Sequence, residues 1–258
     1  SRSGFDNELV VFDGGHDWPP EDVMREAFLA LEIRHLAGTG KTSQALTTRV
    51  IDYYNTKIDA YISEDRYFDA AETAERAASV LEPVVKTDDF KSQMRSFKKN
   101  PRYREDLSAM VRTMERETGL QNNYLAAFEN KGPDWWKVEV QKLKTPADDV
   151  FEERLNRRLE AFLGLMAYMM SGKAISEKDF DQAQKTLEVY RLIEPANPEH
   201  AYLGAVVMME LGNEDAAGDY LEQTIVLGFN NAERLRQEAA FDNMERRQEF
   251  LEMLSETP

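Results

Sequence analysis

Three histidines are the side chains of this chain best suited to metal or acid–base chemistry, and they stand far apart as His16, His35 and His200. None of them has a second histidine three or four residues away, which is the helical spacing that would turn two imidazoles toward one metal ion. The chain has no cysteine, which excludes disulfides, thiolate metal sites and cysteine nucleophiles. The sequence therefore predicts no zinc site, and we expect no cofactor.

A second stretch with chemical potential is GTGKTS at 38–43, which imitates the end of a phosphate-binding loop. Such a loop follows a strand and aims backbone N–H groups at phosphates, and it needs a glycine five residues before its Gly-Lys pair. Five residues before Gly40 stands His35, and a predicted helix precedes the stretch. We therefore interpret these residues as the end of a helix followed by a linker.

Acidic side chains dominate the charge of the chain, with 48 Asp and Glu against 32 Lys and Arg and a net charge of −16. This balance argues against nucleic acid or an anionic membrane as the main partner. The acidic pairs at 148–149 and 152–153 begin a predicted helix, where carboxylates favour the helix dipole, so we interpret them as structural and not as a calcium site. No apolar run reaches about 18 residues and no signal-peptide pattern occurs. We expect a soluble chain without membrane insertion, and its compartment stays open.

The elements that would position His16 are a strand, a loop and a helix. The segment Leu9–Phe12 is apolar, contains two valines and ends at an Asp-Gly-Gly turn, which predicts a short strand. Two prolines and an acidic pair then precede a predicted helix from Glu21 to about Leu36. The apolar positions on or near one face of this helix are Val23, Ala27, Ala30, Leu31 and Leu36. Because the chain opens abruptly beside a strand, we expect it to be part of a larger protein.

The stretch VVFDGGHDWPPEDVMREAFLAL resembles the last strand, histidine loop and last helix of an α/β-hydrolase of the esterase kind. The resemblance covers about the first 37 residues. It implies that His16 is the catalytic base of a Ser-acid-His triad. The nucleophile motif G-x-S-x-G does not occur, since no two glycines stand four residues apart, so serine and acid would have to precede residue 1. An ordinary turn histidine is the alternative that the residues leave open.

A repeat with a period of about 34 residues organises the rest of the chain. The segment DFDQAQKTLEVYRLIEP matches NEDAAGDYLEQTIVLGF in kind, with Ala183 on Ala217 and Leu187 on Leu221. Small residues at the helix crossing let two antiparallel helices approach closely, and larger residues fill the groove beside them. The period and pattern resemble those of tetratricopeptide repeats, clearly over 150–258 and loosely over 42–85. The resemblance implies stacked antiparallel helical hairpins.

The remaining segments are predicted to be helical but irregular. The segment 42–83 is predicted to be a hairpin that is a degenerate copy of the repeat. Residues 84–146 do not keep the period and include a predicted helix that ends at Gly119. Residues 231–258 are predicted to form a terminal cap. A long helix is expected from Ala147 to Met170. The pair Trp135-Trp136 fits either a core position or a ligand-stacking surface, and we favour the core.

These observations predict an all-α fold of tetratricopeptide-like hairpins forming an α-α superhelix, with one short N-terminal strand. We expect a strand-loop-helix segment at 1–41 and a helical domain at 42–258. The expected function is non-catalytic binding of a protein or peptide in the concave groove formed by first helices. Candidate contact residues on the last full repeat are Tyr202, Val206 and Met209. The alternative is the C-terminal part of a serine esterase with His16 as base. An exposed edge of the strand Leu9–Phe12 would also allow two copies to associate.

Overall fold

The computed structural model describes residues 12, 18–40 and 43–256, and within them every regular element is helical. The helices are α1 (Glu21–Thr39), α2 (Gln44–Ser63), α3 (Tyr67–Leu81), α4 (Asp88–Phe97), α5 (Pro101–Asn130), α6 (Pro133–Lys144), α7 (Val150–Ser176), α8 (Phe180–Ile193), α9 (Glu199–Glu210), α10 (Glu214–Val226), α11 (Ala232–Gln237) and α12 (Arg247–Glu256), with a short 3-10 helix at Ala239–Phe241. The all-α prediction is confirmed for the described residues.

The predicted strand Leu9–Phe12 lies outside the described residues apart from Phe12, which is not in a strand. His16 also lies outside them. In the described part of the chain, no helix is long and apolar enough to cross a membrane.

The chain divides into two compact units, Ser1–Arg116 and Glu117–Pro258, and α5 runs through the division. The sequence predicts a boundary at 41/42, with the first helix in a segment of its own. In the structure, α1 packs on α2 and α3 and belongs to unit 1.

Unit 1 is built on the hairpin of α2 and α3, and α4 also packs on α3. The core face of α3 is lined by alanines that let the neighbouring helices approach, and these are Ala70, Ala74 and Ala77. Opposite them, Val50, Tyr54 and Ile58 of α2 are buried. The first turn of α3 has no side-chain cap of its own. Asp106 of α5 supplies one, because its carboxylate accepts a hydrogen bond from the N–H of Phe68 at 3.3 Å.

The inward face of α1 differs from the one predicted. The buried residues are Glu26, Leu29 and Ile33, whereas Ala27 and Leu31 are exposed. The buried carboxylate of Glu26 lies 2.9 Å from Lys57 Nζ and 3.0 Å from Arg76 Nη1. These two ion pairs turn the helix so that a charged side chain faces α2 and α3, an outcome that apolar periodicity alone does not predict.

Unit 2 contains two consecutive hairpins, α7 with α8 and α9 with α10, and α8 also packs on α9. Ala183 and Ala217 are fully buried at the equivalent positions of α8 and α10. The Ser171 hydroxyl donates a 2.9 Å hydrogen bond to the Thr186 hydroxyl where α7 crosses α8. Trp136 of α6 is 1% exposed and packs on Phe128 with ring centroids 4.8 Å apart, so it is a core residue.

Two helices are longer than the sequence suggests. α5 continues through Gly119, where the sequence predicts an end, and α7 continues to Ser176, beyond the expected Met170. A glycine inside a helix costs about 1 kcal/mol relative to alanine. That cost is offset where the flanking turns pack, as Tyr124, Ala127 and Phe128 do in the second half of α5.

One turn recurs between the two helices of each hairpin. Its central residue has a positive φ, 55° at Asp65, 59° at Lys178 and 73° at Gly212. Lys178 and Gly212 are separated by the same number of residues as Ala183 and Ala217, the pair aligned in the sequence repeat. The turn therefore recurs with the period of the sequence repeat. In each copy two backbone hydrogen bonds of the same spacing close the first helix. In the first turn, Asp65 N–H donates to Ile62 O and Arg66 N–H donates to Tyr61 O. The equivalent bonds are Lys178 N–H to Ile175 O and Asp179 N–H to Ala174 O in the second turn, and Gly212 N–H to Met209 O and Asn213 N–H to Met208 O in the third.

Candidate functional site

The shared turn defines equivalent positions on the first helix of each hairpin. Asn55, Tyr168 and Tyr202 each stand ten residues before the positive-φ residue of their own turn. We call this register position the pre-turn position. Its three residues lie in three different surroundings.

In unit 1, Asn55 is half-buried and lines a groove of about 490 Å³ between α2 and α4. The groove carries hydrogen-bonding side chains on an apolar floor, and its lining residues are Ile51, Asn55, Val85, Lys86, Asp89, Phe90, Ser92, Gln93 and Ser96. The buried Oε1 of Gln93 accepts no hydrogen bond. Lys86 makes no ion pair with any described residue. The wall of this unit 1 groove therefore includes one buried carboxamide oxygen without a hydrogen bond and one exposed lysine without an ion pair among the described residues.

In unit 2, Tyr168 of α7 is 43% exposed. Leu165 and Met169 lie on the same helix face and are also exposed, and we call these three residues the α7 patch. The ring of Tyr168 meets that of Tyr190 edge-on, with centroids 6.3 Å apart. A large aromatic and two long aliphatic side chains on one face form an apolar surface that no described element covers.

One turn before Tyr168, the carboxylate of Glu194 lies where a Cβ on Gly164 would stand. Only the absence of a side chain at Gly164 lets that carboxylate lie against the helix. Glu194 accepts a 2.7 Å hydrogen bond from Asn197 Nδ2 and makes no ion pair with a described residue. The α7 patch is thus bordered by a carboxylate without a cation.

The third pre-turn residue, Tyr202, is completely buried under the segment after α10. Its ring stacks on Phe229 at 5.0 Å and meets Phe241 edge-on at 6.0 Å. The guanidinium of Arg234 lies 4.1 Å from the ring centroid and binds Glu199 through two contacts of 2.6 Å. Burial raises the pKa of Tyr202 to about 12.

Tyr202, Val206 and Met209 are the contact residues predicted from the sequence. Val206 is buried beside Tyr202, and Met209 is half-buried. A partner could reach Tyr202 and Val206 only if the C-terminal segment, residues 232–256, moved away. Sequence reasoning missed Tyr168, although the repeat itself could have found it, since Tyr168 stands one full period before Tyr202.

The remaining candidates for chemistry are the described histidines and the acidic start of α7. His35 is exposed on α1, while His200 is buried with its Nε2 3.4 Å from the carbonyl oxygen of Pro195. Burial lowers the pKa of His200. Asp149 caps α7 by accepting hydrogen bonds from the N–H groups of Phe151 and Glu152, as expected for a structural carboxylate. Among the residues described, no group of histidine, aspartate and glutamate side chains could hold a metal ion.

Glu26 is the one strongly buried carboxylate with two cationic partners that we find in the described part of unit 1. Burial alone would raise its pKa, but Lys57 and Arg76 outweigh that effect and lower it, so Glu26 is ionised at neutral pH. A cavity of about 190 Å³ adjoins it, lined partly by Leu31 and Val80. Because both cations already bind the carboxylate, the group holds α1 in place and is not poised as an acid or base.

The chain matches no protein-family model, and no curated protein or solved structure shows a significant similarity to it. Function is therefore inferred from the three pre-turn positions and their surroundings.

Proposed function

We propose that this chain is a non-catalytic module of tetratricopeptide-like hairpins that binds a protein or peptide through its pre-turn positions. The observation that carries the proposal is the contrast between equivalent residues. Tyr202 is packed under the chain's own C-terminal segment, whereas Asn55 lines a groove and Tyr168 is open to solvent. The chain's own C-terminal segment thus covers the pre-turn residue in one copy, and the pre-turn residues of the other two copies are accessible.

The chemistry of the unit 1 groove suits an extended peptide. A carboxamide both donates and accepts hydrogen bonds, as a peptide group does, so Asn55 can pair with main-chain N–H and C=O groups. The apolar floor formed by Ile51 and Phe90 can take a side chain. Main-chain pairing supplies affinity, and the floor and the Lys86 ammonium supply selectivity.

Selection of random dodecapeptides displayed on phage tests this proposal. We expect binders whose affinity, measured by isothermal titration calorimetry, falls about fivefold or more when Asn55→Ala or Tyr168→Ala is introduced. Gln223→Ala, an exposed position on α10, is the matched control and should leave the affinity unchanged. A selection without binders, or binders that none of the pre-turn variants weakens, would contradict the proposal.

A second candidate function is the C-terminal part of a serine esterase, with His16 as the catalytic base. The observation that favours it is the outer face of α1, where Phe28 is 58% and Leu31 59% exposed. The last helix of an α/β-hydrolase packs on its sheet, and an exposed apolar face on α1 is the surface that such packing would leave when the sheet is absent.

The reading frame upstream of Ser1 tests the second candidate. A G-x-S-x-G motif followed by an aspartate, both upstream of Ser1, would support it, and a frame without them would rule it out. We also expect this chain to hydrolyse a p-nitrophenyl ester no faster than its His16→Ala variant.

A further inference from the structure

The residues that cover Tyr202 indicate the kind of segment that would cover Tyr168. Over Tyr202 the chain places an arginine on the face of the ring and two phenylalanines around it. The arginine is held by Glu199, a carboxylate one helical turn before the tyrosine. An aromatic face, a cation above it and a carboxylate beside that cation form a compact recognition unit.

The α7 patch contains two of the three parts of this unit. Tyr168 presents its ring at the equivalent position, and Glu194 places a carboxylate one turn before it, against Gly164. Glu194 comes from the loop after α8, and in the other copy Glu199 comes from the helix itself, so sequence alignment alone does not match the two carboxylates. Among the described residues, no cation lies over the Tyr168 ring.

The charge of unit 2 favours a cationic occupant. Its residues include 27 acidic and 15 basic side chains, and Glu194 is among the acids that no described cation neutralises. Leu165 and Met169 flank the tyrosine and extend the surface with aliphatic groups. An acidic peptide would meet uncompensated repulsion at Glu194, and a purely apolar one would leave that carboxylate without a cation.

We infer that the α7 patch binds a peptide segment in which an arginine is adjacent to an aromatic or aliphatic residue. This inference rests on the proposed function and specifies the partner for one of its positions. The arginine would lie over the Tyr168 ring and bind the Glu194 carboxylate, while the apolar neighbour would contact Leu165 and Met169. Lysine is a weaker fit, because it lacks the planar fork that can stack and pair at once.

The test uses the full chain and the peptides selected on it. We expect the binders sensitive to Tyr168→Ala to contain an arginine next to an apolar residue. Replacement of that arginine by glutamine should weaken binding about tenfold. Tyr168→Phe keeps the ring and should retain affinity, whereas Tyr168→Leu should lose about fivefold or more. Glu194→Gln preserves the size of the side chain and should weaken only peptides that contain arginine.

The outcomes separate this inference from the proposed function. Binders that depend on Asn55 alone, or binders at Tyr168 without arginine, would overturn the inference and leave the proposed function standing. An absence of binders to any pre-turn position would overturn both. Equal affinity for arginine and glutamine peptides at Tyr168 would overturn the inference directly. Circular dichroism of each variant establishes that it is folded before binding is measured.

Discussion

Tyr168 and Tyr202 occupy the same position of two consecutive hairpins, yet the first is 43% exposed and the second is completely buried. The difference arises from the element that comes after each hairpin. After the second hairpin comes the C-terminal segment, whose Arg234 lies over the Tyr202 ring. After the first comes another hairpin, and its tyrosine stays open. One position therefore serves as core in one copy and as surface in the other.

The buried copy should contribute strongly to stability. We predict that Phe241→Ala lowers the free energy of unfolding by about 3–5 kcal/mol, because it removes a fully buried ring that packs on Tyr202. Urea denaturation followed by circular dichroism measures the change. Phe28→Ala, at an exposed phenylalanine of α1, should change it by less than about 0.5 kcal/mol. Equal losses in both variants would contradict the described packing of the C-terminal segment.

The shared turn predicts opposite effects of substitution at its two copies in unit 2. Lys178 adopts a left-handed conformation that costs a non-glycine residue about 1–2 kcal/mol. Lys178→Gly should therefore stabilise the protein by about 0.5–1 kcal/mol after the larger entropy of unfolded glycine is allowed for. Gly212→Ala should destabilise it by about 1 kcal/mol. Thermal or urea unfolding measures both, and destabilisation by Lys178→Gly would show that the two turns are not equivalent.

Glu26 should make unit 1 sensitive to acid. Its folded-state pKa lies below the ordinary value of 4.5, so its stabilising contribution is present above that value and is lost as the pH falls through the folded pKa. We predict that Glu26→Gln costs about 3–5 kcal/mol at pH 7, because two partly buried cations lose their partner. The variant should also lose less stability than the wild type as the pH falls from roughly 5 to 3, through and below the ordinary glutamate pKa. Glu32→Gln, at an exposed ion pair with Arg49, is the control.

Tyr202 should make the fold sensitive to alkali. Burial raises its pKa from 10.0 to about 12, so the folded state holds the phenolic proton more tightly than the unfolded state. The contribution of the protonated Tyr202 phenol to the free energy of unfolding is then fully present below pH 10 and is lost as the pH rises toward 12. We predict that Tyr202→Phe reduces this alkaline loss by roughly 1–3 kcal/mol. Urea midpoints across this pH range measure it, and an unchanged slope in the variant would contradict the burial of the phenol.

The hairpins of unit 2 were predictable from the sequence because their spacing is set by local chemistry. Ala183 and Ala217 mark the helix crossings, and Asp179 and Asn213 accept the capping hydrogen bonds that begin α8 and α10. These signals depend on neighbours within a few residues or on a repeat at fixed distance. The period of the sequence repeat reappears in the structure as the separation between Lys178 and Gly212.

Features that depend on distant partners were not predictable. The inward face of α1 is set by Glu26 binding Lys57 and Arg76, which lie 31 and 50 residues away. The burial of Tyr202 is set by Phe229, Arg234 and Phe241, so its periodic position indicated a surface that the structure shows to be covered. No propensity or periodicity within a single helix contains that information.

Hydrogen exchange of the full chain with and without a selected peptide, followed by mass spectrometry, tests the central claim most directly. A peptide whose affinity falls in the Asn55→Ala variant should protect fragments containing Asn55 and α4 from exchange. A peptide whose affinity falls in the Tyr168→Ala variant should protect fragments containing Leu165, Tyr168 and Met169. Fragments of α10 should exchange equally fast in both states. Protection confined to α10, or protection that spares both the Asn55 and α4 fragments and the Leu165, Tyr168 and Met169 fragments, would contradict the claim that the open pre-turn positions are the binding surface.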